Sequence, residues 1–189
     1  GQLNLAAAYL AQGAYNKAEQ AYKHGLKLDS RSVSARLNLA DLYRLQGKDQ
    51  QALKQLLQVQ LKSPDLESPE LESPDNAVVH FSLGLAQIRT QLMSEGLVSL
   101  ERASQLAPKI SRYSYVYGIA LNGQGRSKEA VQVMSRALMG DRNDRDLLFA
   151  LATINRDLGR LEDARGFAQR LVLAFPEDTA AAQLKRSLQ

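Results

Sequence analysis

The sequence predicts an all-α fold, a solenoid of five stacked helical hairpins closed by a C-terminal capping helix. Two observations predict it. First, Gly13, Gly47, Gly125 and Gly159 are spaced by 34, 78 and 34 residues, and 78 is two periods of 34 with ten residues more. A fixed period in this range marks supersecondary units that bury their apolar faces only against their neighbours. Second, the same intervals recur elsewhere in the unit. Ala6, Ala40, Gly84, Gly118 and Ala152 form one small-residue column, and Ala18, Ala52, Gly96, Ala130 and Ala164 form another. Small residues belong where two helix backbones approach closely. A third column, Ser30, Pro64, Pro108, Arg142 and Pro176, marks the end of each second helix, where proline suits a stop.

The elements run in order along the chain. The first unit, residues 1–32, carries Leu5-Ala6 and Tyr9, turns at Gly13, and continues through Tyr15, Ala18 and Tyr22. Glycine suits the turn because the chain there needs φ > 0. Gly1 enters this unit partway into its first helix, as expected of a fragment or processed form of a longer protein. The second unit, 33–66, repeats Leu39-Ala40, Tyr43, Gly47, Ala52 and Pro64. The third, 77–110, has Leu83-Gly84, Gly96, Ala103 and Pro108, with Gln91 in the glycine column, so this turn is expected to differ. The fourth, 111–144, has Tyr117-Gly118, Gly125, Ala130 and Ala137, and the fifth, 145–178, has Leu151-Ala152, Gly159, Ala164 and Pro176. Glu177-Asp178-Thr179 then offers a capping start for a last helix over 179–189, whose large apolar residues are Leu184 and Leu188. A terminal unit needs one polar face because nothing stacks on it.

The ten extra residues fall between the second and third units. The segment reads S-P-x-L-E twice and begins it a third time, from Ser63-Pro64-Asp65-Leu66-Glu67 through Ser68-Pro69-Glu70-Leu71-Glu72 to Ser73-Pro74-Asp75. A tandem duplication of a five-residue motif explains the break in period. Proline at every fifth position forbids a regular helix, so the insertion, 65–76, is expected to be loop or turns. It is either a solvated connection, Leu66 and Leu71 pinning it to the body, or an acidic strip that docks a basic partner or folds over the solenoid. Ser68 and Ser73 precede prolines, as some phosphorylated serines do. Removing its five acids from the net charge of +4 leaves +9 on the rest of the chain.

Composition narrows the function classes. Apolar residues are 44% and charged residues 23%, ordinary for a soluble globular chain. No apolar run approaches the roughly 18 residues that span a bilayer, and no signal-peptide pattern is present. The absence of cysteine excludes disulfides, thiolate metal sites and C-x-x-C-H haem attachment, and fits either redox compartment. His24 and His80 lack metal-ligand spacing. Neither G-x-G-x-x-G nor a phosphate-binding G-x-x-x-x-G-K-[ST] occurs, nor a G-x-S-x-G elbow. Glu162-Asp163 sits where acids favour a helix N-terminus. No catalytic constellation is present, and neither an enzyme nor a cofactor is expected. The pI near 9.4 raises nucleic acid as a lesser alternative, but the basic residues are interleaved with acids and form no run.

These columns resemble the tetratricopeptide repeat family, whose unit carries a small residue after Leu on the first helix, then Tyr, Gly, Ala and Pro. Five repeats cover almost the whole chain; the family's tryptophan is absent. The resemblance implies a right-handed α–α superhelix that binds protein or peptide, with the first helix of each hairpin lining a groove. One groove row is then Leu3, Leu37, Phe81, Tyr115 and Phe149, and the next is Ala7, Asp41, Leu85, Ile119 and Thr153. A third is Leu10, Arg44, Ile88, Asn122 and Arg156, with Arg89 beside it and Arg112 and Asp146 at helix starts. An apolar stripe edged by Arg44, Arg89, Arg112 and Arg156 suits a peptide with aromatic or aliphatic anchors and acidic flanks. The alternative is that Phe81, Tyr115 and Phe149 pack against neighbouring helices. The family's carboxylate clamp fails here, because Leu3, Ala7, Asn38, Val78 and Ser82 keep only the asparagine. Its asparagine ladder fails as well: Asn4 and Asn38 fit, but Ser82, Val116 and Ala150 break it. A structural role, as spacer or homo-oligomerisation tail, is the runner-up function. The segment 112–122 is similar to repeats at the C-terminal end of some bacterial multihaem cytochromes, which would place the chain in a bacterial envelope. The compartment otherwise stays open between bacterial cytoplasm and periplasm.

Overall fold

The computed structural model describes residues 1–62 and 74–188, and every element among them is helical. The chain gathers into two compact units, Gly1–Leu106 and Ala107–Gln189. The first holds α1 (Gln2–Ala11), α2 (Tyr15–Leu28), α3 (Val33–Leu45), α4 (Asp49–Lys62), α5 (Pro74–Arg89) and α6 (Met93–Leu106). The second holds α7 (Ser111–Gly123), α8 (Ser127–Gly140), α9 (Arg145–Asp157), α10 (Leu161–Ala174) and α11 (Thr179–Ser187).

The glycine column sits where helix chemistry requires it. Gly13, Gly47, Gly125 and Gly159 have φ between 69° and 75°. Each comes after a first helix and closes the same pair of backbone bonds. At Gly13, its N–H donates to Leu10 O (3.0 Å) and Ala14 N–H donates to Tyr9 O (2.9 Å). This is a Schellman motif, which satisfies two of the carbonyls a helix end leaves open.

The third turn does not differ as expected. Gln91 takes φ 67°, its N–H donates to Ile88 O (3.1 Å), and Leu92 N–H donates to Gln87 O (2.8 Å). The turn keeps the same pair of bonds as the glycine turns, so the helix end and not the residue type holds it. A Cβ on Gly84 would lie 3.0 Å from Gly96 O, and one on Gly96 would lie 3.1 Å from Gly84 O. The α5 and α6 backbones thus come into near contact in this hairpin, while its turn keeps the bonds of the others.

The small-residue columns lie in the core. Ala6, Ala18, Ala40, Ala52, Ala130, Ala152 and Ala164 are all buried. In the first unit they join Tyr22, Leu39, Leu42, Tyr43, Leu53, Leu56 and Leu83 in one cluster. Tyr43 O–H also donates to Glu19 Oε1 (3.0 Å), which Lys23 meets at 2.7 Å. The Lys23 bond, and then the Tyr43 bond, hold the Glu19 carboxyl below the usual carboxylate range despite its partial burial. In the second unit Leu184 and Leu188 of the capping segment close over Ala152, Ala164 and Ala168.

The helix starts form a further column. Ser32 Oγ accepts from Ala35 N (3.3 Å), Asp144 Oδ1 from Leu147 N (2.9 Å), and Asp178 Oδ1 from Ala180 N (3.0 Å) and Ala181 N (3.1 Å). These side chains satisfy amides that the first turn leaves without partners. Ile110 holds the equivalent place before α7 and supplies no cap. α5 starts at Pro74, so the last residues of the expected loop, 74–76, form its first turn. Proline suits that position because its fixed φ is helical and its missing N–H would be unpaired there anyway. The remainder of the insertion, with Leu66, Ser68, Leu71 and Ser73, lies outside the described residues.

Candidate peptide-binding face

In the first unit the expected groove residues fall on α3 and α5. Leu37, Asp41 and Arg44 succeed one another at helical spacing along α3, as do Phe81, Leu85 and Ile88 along α5, so each set shares a helix face. Leu37 is half-buried and packs on the core cluster. Phe81 and Leu85 are half-buried too. Ile88 belongs to the hairpin: its Cγ1 occupies the space a Cβ on Gly96 would enter, 2.6 Å away.

In the second unit they fall on α7 and α9. Arg112 and Ile119 are exposed, and Tyr115, Asn122, Phe149, Thr153 and Arg156 are half-buried. Several have structural duties. Phe149 packs against the core cluster that α11 closes, and the Arg145 guanidinium lies 5.8 Å from its ring centre. Asn122 Oδ1 accepts from Ser127 Oγ (2.7 Å), which ties α7 to α8, and Thr153 Oγ1 donates to Phe149 O (2.9 Å). Packing against neighbours, the alternative reading of the aromatics, therefore holds for Phe149.

The arginines at the edges are occupied. Arg44 Nε meets Asp41 Oδ1 at 2.8 Å, Arg89 Nη1 meets Asp49 Oδ1 at 3.5 Å, and Arg156 Nη2 meets Asp157 Oδ1 at 2.9 Å. Exposed pairs of this kind contribute only about 0–1 kcal/mol each, so an incoming carboxylate could replace them.

Arg112 and Tyr115 are brought together. With Ser111, Val116, Asp144 and Asp146 they line a cavity of about 310 Å³. Ser111 Oγ donates to Asp144 Oδ2 (2.5 Å) across the α7 and α9 starts. One hairpin further on, Arg145 Nε donates to Asp178 Oδ2 (2.7 Å) in the equivalent place. That contact borders a larger cavity, about 470 Å³, lined by Arg145, Ala174, Phe175, Pro176, Glu177 and Asp178. Each bond joins a residue at the start of one helix to the N-cap of the helix one repeat further on. The sequence reading missed Ser111, Asp144 and Arg145; the 34-residue spacing of Asp144 and Asp178 was the signal for them. Among the described residues no cluster of three His, Cys, Asp or Glu could hold a metal ion, and no helix is long and apolar enough to cross a membrane.

A tetratricopeptide repeat model matches residues 9–72 and 121–188. No curated protein sequence matches the chain. Solved structures of similar fold include MamA, at a TM-score of 0.77 and 18% identity, covering 89% of this chain and 93% of that one. YrrB, described as a TPR protein with an unusual peptide-binding site, aligns at 0.75 and 17%, covering 98% and 90%. PilF of Pseudomonas aeruginosa aligns at 0.74 and 15%, covering 98% and 80%. At these identities the likeness is one of fold.

Proposed function

The chain belongs to the tetratricopeptide repeat family, and on that premise we propose that it is a non-catalytic interaction module that binds a partner peptide on its first helices. The observation that carries this reading is the cavity at Arg112 and Tyr115. It places a half-buried aromatic ring and a guanidinium beside Asp144 and Asp146, on the helix the family uses for binding. A site of about 310 Å³ has room for one anchoring side chain. Phe81 and Leu85 on α5 offer a separate half-buried apolar face in the first unit. YrrB, with its peptide-binding site on the same fold, supports the assignment by analogy. Acidic flanks of a peptide on the second unit would exchange with the weak pair at Arg156, and those of one on the first unit with the pairs at Arg44 and Arg89.

The test is recovery of protein partners from lysate by the wild-type chain and by Phe81→Ala/Tyr115→Ala. Aromatic anchors at interface centres contribute about 2 kcal/mol or more, so affinity should fall by at least about thirtyfold, and recovery with it. Circular dichroism establishes that the variant keeps its helices. Unchanged recovery by a folded variant counts against binding on the first helices.

A further inference from the structure

We propose that the second unit carries, on its second helices, a docking surface for an anionic lipid bilayer. The surface is made by Arg136 and Met139 near the end of α8, Arg142 just beyond it, and Arg170 and Leu173 near the end of α10. Met139 is 79% exposed and Leu173 71%, and all three arginines are exposed. The arrangement repeats in register: Arg136 and Arg170 are 34 residues apart, as are Met139 and Leu173. A separation of three residues puts each arginine beside its apolar neighbour on one helix face. Arg170 Nη2 donates to Arg142 O (2.7 Å), which joins the two strips. The guanidinium of Arg170 also lies 6.0 Å from the centre of the Phe167 ring.

The cations of this unit fall into two sets, and Arg160 and Arg186 share with the patch the lack of an ion pair among the described residues. Arg126, Arg145, Arg156 and Arg165 of the same unit are all in ion pairs. Arg136, Arg142 and Arg170 are in none among the described residues. The carboxylate just after α8, Asp141, accepts from Asn143 N (3.1 Å). Helix-dipole compensation does not account for Arg136 and Arg170, because neither helix has a basic residue in its last turn.

Shape selects the bilayer over a protein groove. Met139 and Leu173 project outward, and neither lines the cavity at Tyr115 or the one at Phe175. A fluid interface closes around projecting apolar side chains, while arginines reach lipid phosphates through paired N–H donors. The inner faces of α8 and α10 stay in the core through Ala130, Met134, Leu138, Ala164, Ala168 and Leu171. Attachment is therefore shallow and depends on charge.

The test is co-sedimentation of the full 189-residue chain with phosphatidylglycerol/phosphatidylcholine vesicles and with phosphatidylcholine alone. Binding to the first, absent from the second and weakened by salt, is expected. Arg136→Gln/Arg170→Gln should lower partitioning about fivefold per arginine. Met139→Ser/Leu173→Ser should lower it by about tenfold while net charge is unchanged. No binding to the anionic vesicles overturns the proposal, as does binding that either folded variant leaves unchanged. Poly-glutamate provides the third arm. If it binds as tightly, with loss in the arginine variant but none in the apolar one, the surface serves an acidic protein instead and the bilayer assignment fails.

Discussion

Gln91 holds a backbone conformation that glycine holds in the other four turns, at φ 67° against 69–75°. An L side chain in that region is disfavoured by about 1–3 kcal/mol. Replacing it with glycine relieves the strain but returns entropy to the unfolded chain, which offsets part of the gain. Gln91→Gly should therefore raise stability by about 0.5–1 kcal/mol, read from the shift of the urea midpoint. Gly47→Ala should lower it by about 1 kcal/mol, because it introduces the strain that Gln91 already bears. A destabilised Gln91→Gly would mean that the glutamine side chain makes a contact outweighing its backbone. The sequence showed where these turns are but misjudged this one. It offered the residue type in the glycine column; the bonds that Gln91 and Leu92 donate to Ile88 O and Gln87 O, which keep the turn, are made by backbone that the residue type does not reveal.

Helices end legibly in this chain and begin less so. The endings are written in a glycine column that only Gln91 interrupts and in a proline column kept in three units of five. The beginnings are written in Ser32, Asp144 and Asp178, a column that Ile110 interrupts and that the ten-residue insertion displaces. The last cap was visible only as a choice among Glu177, Asp178 and Thr179, and hydrogen bonding selects Asp178. Its carboxyl is held below the ordinary value of 3.8, first by the amide of Ala181 and then by Arg145. A lowered folded-state pKa gives stability that is complete above the unfolded value and is lost as pH falls through the folded one. Acidification below about pH 4 should therefore loosen α11. Chemical-shift helicity over 179–187 is the measurement, with Asp178→Asn as the comparison. The wild type should lose helicity in this segment on acidification, and the variant, which has no proton to gain at this place, should not. Equal acid loss in both would assign the effect to other carboxylates.

At the scale of the whole chain, period alone made the hairpins legible, because stacking fixes the spacing of small residues whatever the partner. It did not separate binding residues from packing residues. Phe149 and Tyr115 share a column, yet one packs under the capping helix while the other borders a cavity. That difference depends on the next layer of the stack: Phe149 packs on the cluster to which Leu184 and Leu188 contribute. Nor did the period mark the division after Leu106, where the spacing runs on unchanged. The second unit nevertheless has a core of its own. Leu121, Met134, Leu147, Leu148, Leu151 and Leu171 are buried there, and Leu184 and Leu188 close its end. Contacts between helices close in sequence keep loop-closure entropy low, so such a unit can fold without distant segments. The fragment 107–189 should thus be helical and unfold in one cooperative transition, with a stability of about 0.05–0.15 kcal/mol per residue. Removing 179–189 from it uncovers Ala164, Ala168, Phe149 and Phe167 together, and should abolish that cooperativity. Thermal melts monitored by circular dichroism distinguish the cases. A fragment 107–189 without a cooperative melt would mean that its core, complete as it is, is insufficient alone.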